Sequence, residues 1–362
     1  MTAAALLPLL TAAGVGRDEA GALADAVLEA DAAGHRVRGT TSPNPPVGAV
    51  VLDAHGTVAG VGATNPPGGA HAEVVALAEA GERARGGTAV VTLEPCNHTG
   101  RTGPCSQALL EAGISRVVYV FADPGDAEGG GAGYLRARGV EVVGPLLQDG
   151  DLPVGMPVFS VEPWLVSRRL GRPHVTLKYA ATMDGFAAAT DGSSQWITGK
   201  PARARVHLDR SRRDAVVVGT GTVAADDPRL TARRPDGSLY DHQPLRVVVG
   251  LTGLPGQAAI HPAVHVPTRD LEVVLDELAA RGVVDVLVEG GPHLAAAFIA
   301  AGLVHAVEAY TAPALLGAGL PAVVAGPGTT TTMAGIQRFT LRSAETIGGD
   351  VLTVTTRACN PR

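Results

Sequence analysis

The sequence predicts two α/β domains in succession, and three observations carry that expectation. The chain has 362 residues, a length suited to about two domains. Strand-like and helix-like stretches alternate along its first part and again from residue 174 onward. Between them, residues 144–173 lose periodicity and mix Pro and Gly with short apolar pieces, as a domain junction would. The expected division is a first domain over 1–150, a linker over 151–172 and a second domain over 173–362. Residues 1–17 form an unassigned extension, either helix or disorder.

In the first part, DEAGALADAVLEADAA (18–33) has helical apolar spacing. PVGAVVLDAHGTVAGVGA reads as two strands joined at the AHG turn, a hairpin. HAEVVALAEAGERA is a helix stopped by Gly86-Gly87, and TAVVTLEP is an apolar strand ended by proline. SQALLEAGI is helical, RVVYVFADP a strand, and YLRARGVEVVG a helix fragment with a strand. In the second part HVTLKYAATMDG opens the pattern, and RVHLDRSRRDAVVVGTGTVAADDP, LRVVVG and DVLVEGGPHLAAAFIAAGLV continue it. YTAPALL and LRSAETIGGDVLTVTTR supply late strands, and no internal repeat is evident.

Composition excludes several classes. With 46% hydrophobic and 18% charged residues the chain can build cores and is far from a disordered profile. A formal net charge of −6 argues against nonspecific binding to nucleic acid or to an anionic membrane. The apolar run AAALLPLL lacks a basic flank and is too short to span a bilayer, so the expected location is cytoplasmic. Three cysteines are no disulfide framework, and Cys359 reads as an isolated thiol. Only Lys178 and Lys200 among 29 basic residues are lysines. A lysine kept against that bias marks a place where a guanidinium would not fit, and it points to Lys178.

The first candidate site is built from His71-Ala72-Glu73 at a helix start and Pro95-Cys96 after a strand, with Cys105 nine positions on. Three protein ligands (His71, Cys96 and Cys105) leave zinc an open position, the arrangement of a catalytic site. Glu73, two residues past the histidine, reaches that position without ligating the metal and suits proton transfer. The pattern is the H-x-E…P-C-x-x-C signature of zinc-dependent base deamination with a widened second spacing, so the loop NHTGRTGP must fold back. A structural zinc would instead need a fourth protein ligand, for which His98 is the candidate.

The second candidate site contains Gly219-x-Gly221-x-x-Ala224, a match to the dinucleotide-binding glycine pattern. That pattern wants an acidic residue about 20 positions on at a strand end, and Asp241 lies in a loop instead. The doubly wound dinucleotide fold is therefore excluded, though phosphate approach at these glycines is not.

These segments resemble a known family. PCNHTGRTGPC resembles the P-C-x-H-x-G-R-T-P-P-C segment of the bifunctional riboflavin-biosynthesis deaminase/reductases, with Gly103 standing where that family usually has proline. SPNPPVGAVV, HAEVVAL and VTLEPCNH match its other deaminase segments in order. VTLKYAATMDG, GSSQWITG, AVVVGTGTVAADDPRLTAR and VLVEGGPHLAAAF match its reductase segments. The resemblance spans about residues 20 to 355.

It implies an N-terminal cytidine-deaminase-like three-layer domain and a C-terminal dihydrofolate-reductase-like domain, with Zn2+ and NADPH as cofactors. It implies hydrolytic deamination of a diamino-ribosylamino-pyrimidinone phosphate, followed by reduction of its ribosyl group to a ribityl chain. Asn44 would sit beside the pyrimidine, while His98 and Arg101 read equally as ribose-phosphate contacts or solvated loop residues. NADPH contacts are implied at Ala180, Trp196, Thr222 and Asp226 and along Gly291, Pro292, His293 and Leu294, the last group at a helix N-terminus. Ser194, Arg210, Leu230, Arg233 and Glu289 would line the substrate, with Lys178 and Asp184 flanking the cleft for binding or proton delivery.

Individually, Trp196 also reads as core, Arg210 as a solvated helix end and Asp226 as part of a turn. Gly250 stands where the family generally has Asp, and Leu251 where a small polar residue often meets the cofactor. That difference predicts altered cofactor affinity or choice, and in the extreme a deaminase with an inactive reductase half. A homo-oligomer is expected.

Overall fold

A computed structural model describes residues 3–98, 103–125, 129–148, 156–324 and 332–357. Arg101 and Cys359 lie outside these residues. Two compact units divide the chain, Met1–Arg169 and Leu170–Arg362.

The first unit runs α1 (Ala3–Ala12), α2 (Arg17–Val37), β1 (Gly48–Leu52), β2 (Val58–Ala63), α3 (Ala72–Ala80), β3 (Thr88–Leu93), α4 (Cys105–Glu111), β4 (Arg116–Phe121), α5 (Gly131–Arg136) and β5 (Glu141–Val143). The strands form one sheet in the order β2-β1-β3-β4-β5. The β1–β2 hairpin is antiparallel and β3, β4 and β5 are mutually parallel. Register shows how helices cover both faces. Ala49 pairs with Gly62, so these two share a face and Gly48 takes the other. A Cβ at Gly62 would lie 2.1 Å from the Ala72 carbonyl oxygen on α3, and one at Gly48 would lie 1.8 Å from that of Ala30 on α2. Helices α2 and α3 therefore pack on opposite faces, which makes three layers.

The N-terminal extension is helical, with Leu6 and Leu10 fully buried. Helix α3 stops earlier than its sequence suggests because Gly81 turns to φ +54° and a 3₁₀ turn, Gly81–Ala84, follows. The segment expected to be a linker differs in its second half, where α6 (Glu162–Leu170) forms. Trp164 on α6 is buried and donates from Nε1 to the Pro43 carbonyl at 3.0 Å, and the Ser160 amide donates to Asp31 Oδ1 at 2.8 Å. A large aromatic with its polar tip satisfied anchors a helix that the surrounding Pro and Gly conceal.

The second unit runs β6 (His174–Thr182), β7 (Phe186–Ala188), α7 (Lys200–Arg210), β8 (Ala215–Gly219), α8 (Thr220–Asp226), β9 (Leu245–Val249), β10 (Val264–Val266), α9 (Leu271–Ala280), β11 (Asp285–Val288), α10 (Pro292–Ala300), β12 (Ala306–Ala312), β13 (Leu320–Pro321), β14 (Thr340–Ile347) and β15 (Asp350–Thr356). Eight strands form a sheet in the order β10-β9-β8-β11-β6-β12-β15-β14, parallel up to β12 and antiparallel beyond it. Among the parallel strands, β8, β9 and β11 are short Val- and Leu-rich runs, as burial on both faces favours. Buried Arg213, just past α7, ion-pairs with Asp209 of α7, Asp285 of β11 and Glu308 of β12 at 3.0, 3.1 and 2.6 Å. These pairs fix the C-terminal end of α7 against the sheet. Among the described residues, no helix is long and apolar enough to cross a membrane.

Candidate active sites

In the first unit two helix starts meet at the end of β3. His71 is the residue before α3, Glu73 lies in its first turn, and Cys105 is the first residue of α4. Cys96 follows the β3 strand through Glu94 and Pro95, where a Cβ at Gly131 would lie 1.8 Å from the Pro95 carbonyl oxygen, so α5 approaches only through glycine. The two cysteines at either end of the widened loop come together. His71 Nδ1 lies 3.6 Å from Cys96 Sγ and 3.3 Å from Cys105 Sγ, and the Cys105 amide donates to Cys96 Sγ at 3.4 Å. All three ligand atoms lie within 4.8 Å of one another.

Tetrahedral zinc with ordinary Zn–N and Zn–S bonds separates such an N···S pair by about 3.5 Å, so this donor set fits the metal. Among the described residues the group has three members, and His98 is not one of them. The open fourth position is that of a catalytic site. Hydrogen bonding from Cys105 is the largest influence lowering the Cys96 thiol's pKa, and with help from His71 it outweighs burial. The same hydrogen bond, with burial, pushes the Cys105 thiol up, so the two sulfurs share one proton and Cys96 is the thiolate of the pair.

Glu73 is only 4% exposed, and burial, assisted by Cys96, raises its pKa to about 7. A cleft of about 250 Å³ opens over these groups, lined also by Asn44, His98, Asp123, Trp164 and Arg168. His98 Nδ1 is buried and makes no hydrogen bond among the described residues. Sequence reasoning missed Trp164, Arg168 and Asp123. The first two lie in the stretch read as linker, and a lone tryptophan there was the available signal.

The second unit gathers Lys178 of β6, Arg210 of α7 and Glu289 just past β11. Arg210 grips both oxygens of Glu289 at 2.5 and 2.9 Å, and Lys178 Nζ lies 3.5 Å from Oε2. Arg233 joins this group through His207, whose Nε2 lies 3.4 Å from its Nη2. The β8–α8 and β11–α10 turns also meet, where the Gly291 amide donates to Thr222 Oγ1 at 3.1 Å. Thr222 and the start of α10, expected from distant motifs, therefore form one surface. Exposed Asp226 ends α8, and His293 is exposed at the start of α10 beside half-buried Pro292 and Leu294.

Trp196 is 68% exposed with Arg203 4.2 Å over its ring, so it is not core. Ser194 lies half-buried in the same loop, and Ala180 is half-buried on β6. Leu230 is buried in the cluster of Val216, Val218 and Ile260 at φ +50°. Its side chain is core.

Asp184 is tied to the end of β6 and to a neighbouring loop. Its carboxylate accepts from the Thr182 hydroxyl at 2.5 Å and from the Leu316 and Gly317 amides at 3.0 and 2.7 Å. Thr182 and then Gly317 lower its pKa, and its carboxylate clamps the 316–317 loop. Gly250 has φ +135°, and a Cβ there would lie 2.5 Å from Thr220 Oγ1. Threonine at 220 and glycine at 250 fit one another.

A zinc-binding deaminase half joined to a reductase half defines a bifunctional pyrimidine deaminase/reductase. The cytidine and deoxycytidylate deaminase zinc-binding region matches residues 24–121, and the RibD C-terminal domain matches residues 173–353. The riboflavin biosynthesis protein RibD of Corynebacterium ammoniagenes is 50% identical over 327 residues, 89% of this chain and 95% of its own. A Thermotoga maritima diaminohydroxyphosphoribosylaminopyrimidine deaminase/5-amino-6-(5-phosphoribosylamino)uracil reductase superposes with a TM-score of 0.78 at 30% identity, covering 93% of this chain and 99% of its own. Acinetobacter baumannii RibD superposes at 0.75 with 32% identity, covering 92% and 98%. The chain belongs to the RibD family of riboflavin-biosynthesis enzymes, hydrolase and oxidoreductase in one polypeptide, with zinc and NADPH as cofactors.

Proposed function

We propose that the first unit deaminates 2,5-diamino-6-ribosylamino-4(3H)-pyrimidinone 5′-phosphate at C2, and that the second reduces the ribosyl group of the product to a ribityl chain. The working division is 1–150 for the deaminase and 173–362 for the reductase, with α6 completing the deaminase cleft. The observation that carries the first step is buried Glu73 beside a three-ligand His/Cys group with no fourth protein ligand among the described residues.

His71, Cys96 and Cys105 would hold zinc, which would supply the Lewis acidity that makes water nucleophilic near neutral pH. Glu73 takes the proton from the attacking water and delivers it to the departing amine as ammonia. Its raised pKa suits a group that must both accept and return a proton. Asn44 on the cleft wall orients the pyrimidine.

Ala180, Trp196, Thr222, Asp226 and the turn from Gly291 to Leu294 would hold NADPH, which would supply the hydride for reduction at the ribose C1′, the balancing proton coming from water. Ser194, Arg210, Arg233, Glu289 and the Leu230 backbone hold the second substrate, the arginines facing its phosphate. Lys178 Nζ, 3.5 Å from Glu289 Oε2, faces the opening sugar. We infer that the enzyme works in the cytoplasm as a homo-oligomer on free metabolites.

The test is a coupled assay on zinc-loaded protein with the diaminopyrimidine ribosyl phosphate and NADPH. Ammonia release and NADPH loss in step, both stopped by Glu73→Ala, support the reading. Ammonia without NADPH oxidation overturns the reductase half, and silence in both channels overturns the whole.

A further inference from the structure

We propose that His207 is a positioning residue of the reductase half, a neutral imidazole that aims the Arg233 guanidinium at the substrate phosphate without cancelling its charge. The proposal rests on the reading above that Arg233 meets that phosphate.

The geometry assigns the tautomer. His207 Nδ1 lies 2.9 Å from the Thr231 carbonyl oxygen, which only accepts, so the proton sits on Nδ1. Nε2 is then a lone pair, and the atom opposite it is Arg233 Nη2, a donor, at 3.4 Å. The imidazole is thus a relay between a backbone acceptor and a cation. The same Thr231 carbonyl also receives Arg210 Nη1 at 3.3 Å, so one oxygen fixes both arginines, the first through His207 and the second directly. Helix α7 carries His207 and Arg210 one turn apart on the same side, and the Arg213 ion pairs hold that helix end still.

The two arginines are treated differently. Arg210 is bound edge-on by Glu289, which also faces Lys178, so much of its charge is already balanced. Arg233 pairs with no carboxylate among the described residues, and His207 is the side chain that holds it. A carboxylate in that place would orient the guanidinium equally well and neutralise it. A neutral acceptor orients it and leaves the full positive charge for an anion. The surroundings keep the ring neutral. Burial first, then Arg210 and Arg233, lower its pKa, against smaller opposing effects of the Thr231 carbonyl and Glu289.

The test uses the full-length enzyme and its reductase reaction on 5-amino-6-(5-phosphoribosylamino)uracil and on the same compound lacking phosphate. His207→Ala should raise KM for the phosphorylated substrate about tenfold, with kcat within about twofold and little change for the dephosphorylated one. His207→Gln supplies a donor to Thr231 and an acceptor to Arg233, and should restore KM to within about twofold of the parent. His207→Glu keeps the contact but cancels the charge, and should resemble the alanine variant.

Thermal melts of each variant report an intact second unit, and ammonia release an intact first. Should His207→Ala fold poorly, the contrast between Gln and Glu decides alone. Equal losses on both substrates, or Gln as damaging as Ala, would overturn the positioning role. Arg233→Ala separates the underlying reading. If it leaves the preference for the phosphorylated substrate intact, the phosphate assignment itself falls. If it abolishes that preference while His207→Ala does not, only the role of His207 falls.

Discussion

Arg210 holds Glu289 through two parallel hydrogen bonds, Nε to Oε1 at 2.5 Å and Nη2 to Oε2 at 2.9 Å, deep in the reductase half. Burial alone would raise the Glu289 pKa. Arg210, and after it Lys178, outweigh burial and bring it down to about 2. Because the folded pKa lies below the ordinary 4.5, the pair's stabilisation is fully present above that value and is lost as pH falls toward 2. Glu289→Ala should therefore lower stability by about 3–5 kcal/mol at neutral pH, since it strands a buried guanidinium. Denaturant melts of parent and variant should show that gap closing below about pH 4. A gap that is constant down to pH 3 would count against the pairing.

His305 adds a second acid-labile contribution, set at higher pH. Its Nδ1 accepts the Val175 amide at 2.9 Å, its ring stacks on His174 with centroids 5.4 Å apart, and it is 7% exposed. Burial, then His174, Arg172 and Arg357, push its pKa down to about 2. The unfolded chain takes up a proton near pH 6.5 that the folded chain refuses, so stability falls as pH drops below 6.5. The slope should be about 1.4 kcal/mol per pH unit from this one group. His305→Asn offers an acceptor that does not titrate. Thermal melts between pH 7 and 5 should show a flatter slope for that variant, and parallel slopes would remove the assignment.

How much of this was legible in the sequence differs by distance along the chain. His71, Glu73, Cys96 and Cys105 belong to short motifs on element ends, so local pattern sufficed to collect them. Lys178, Arg210 and Glu289 come from three separate elements, and only the neighbouring parallel strands β6, β11 and β8 bring them together. Residue type suggested each of them, but not the ion pairs. The α6 helix was hidden because Pro and Gly on both sides mask nine helical residues whose apolar side is short. Helix α9 was overlooked although Leu271, Val274, Leu275 and Leu278 have helical spacing and Asp270 caps it by accepting from the Glu272 amide at 3.0 Å. The contact of His207 with Arg233 left no local mark, since it joins α7 to a loop 26 residues later.

Zinc content and ammonia release should separate in the first unit. Cys96→Ser and Cys105→Ser each remove one of three donors and should lose both metal and activity. Glu73→Gln should keep one zinc per chain while ammonia release falls by about 10²–10⁴-fold, the range of a lost general acid–base group. His98→Ala should keep its zinc as well, because its ring is outside the ligand group. Elemental analysis alongside the ammonia assay reads both quantities. Loss of metal from the His98 variant would point to a structural, four-ligand site instead.

Gly250 and Thr220 make a coupled pair whose behaviour decides what the departure at 250 means. At φ +135° a side chain is strained whatever the space, and a Cβ would also meet Thr220 Oγ1 at 2.5 Å and Cγ2 at 3.1 Å. Gly250→Ala should therefore destabilise by about 1–3 kcal/mol through two causes, backbone strain and collision. Thr220→Ala removes the colliding atoms but not the strain. The double variant should recover only part of the loss, giving a coupling energy of about 0.5–2 kcal/mol in a mutant cycle. Gly250→Asp should behave like Gly250→Ala in stability and bind NADPH no more tightly by calorimetry, because the carboxylate enters on a distorted turn. Tighter binding without a stability cost would instead mean that the turn accepts a side chain and that this glycine weakens cofactor affinity.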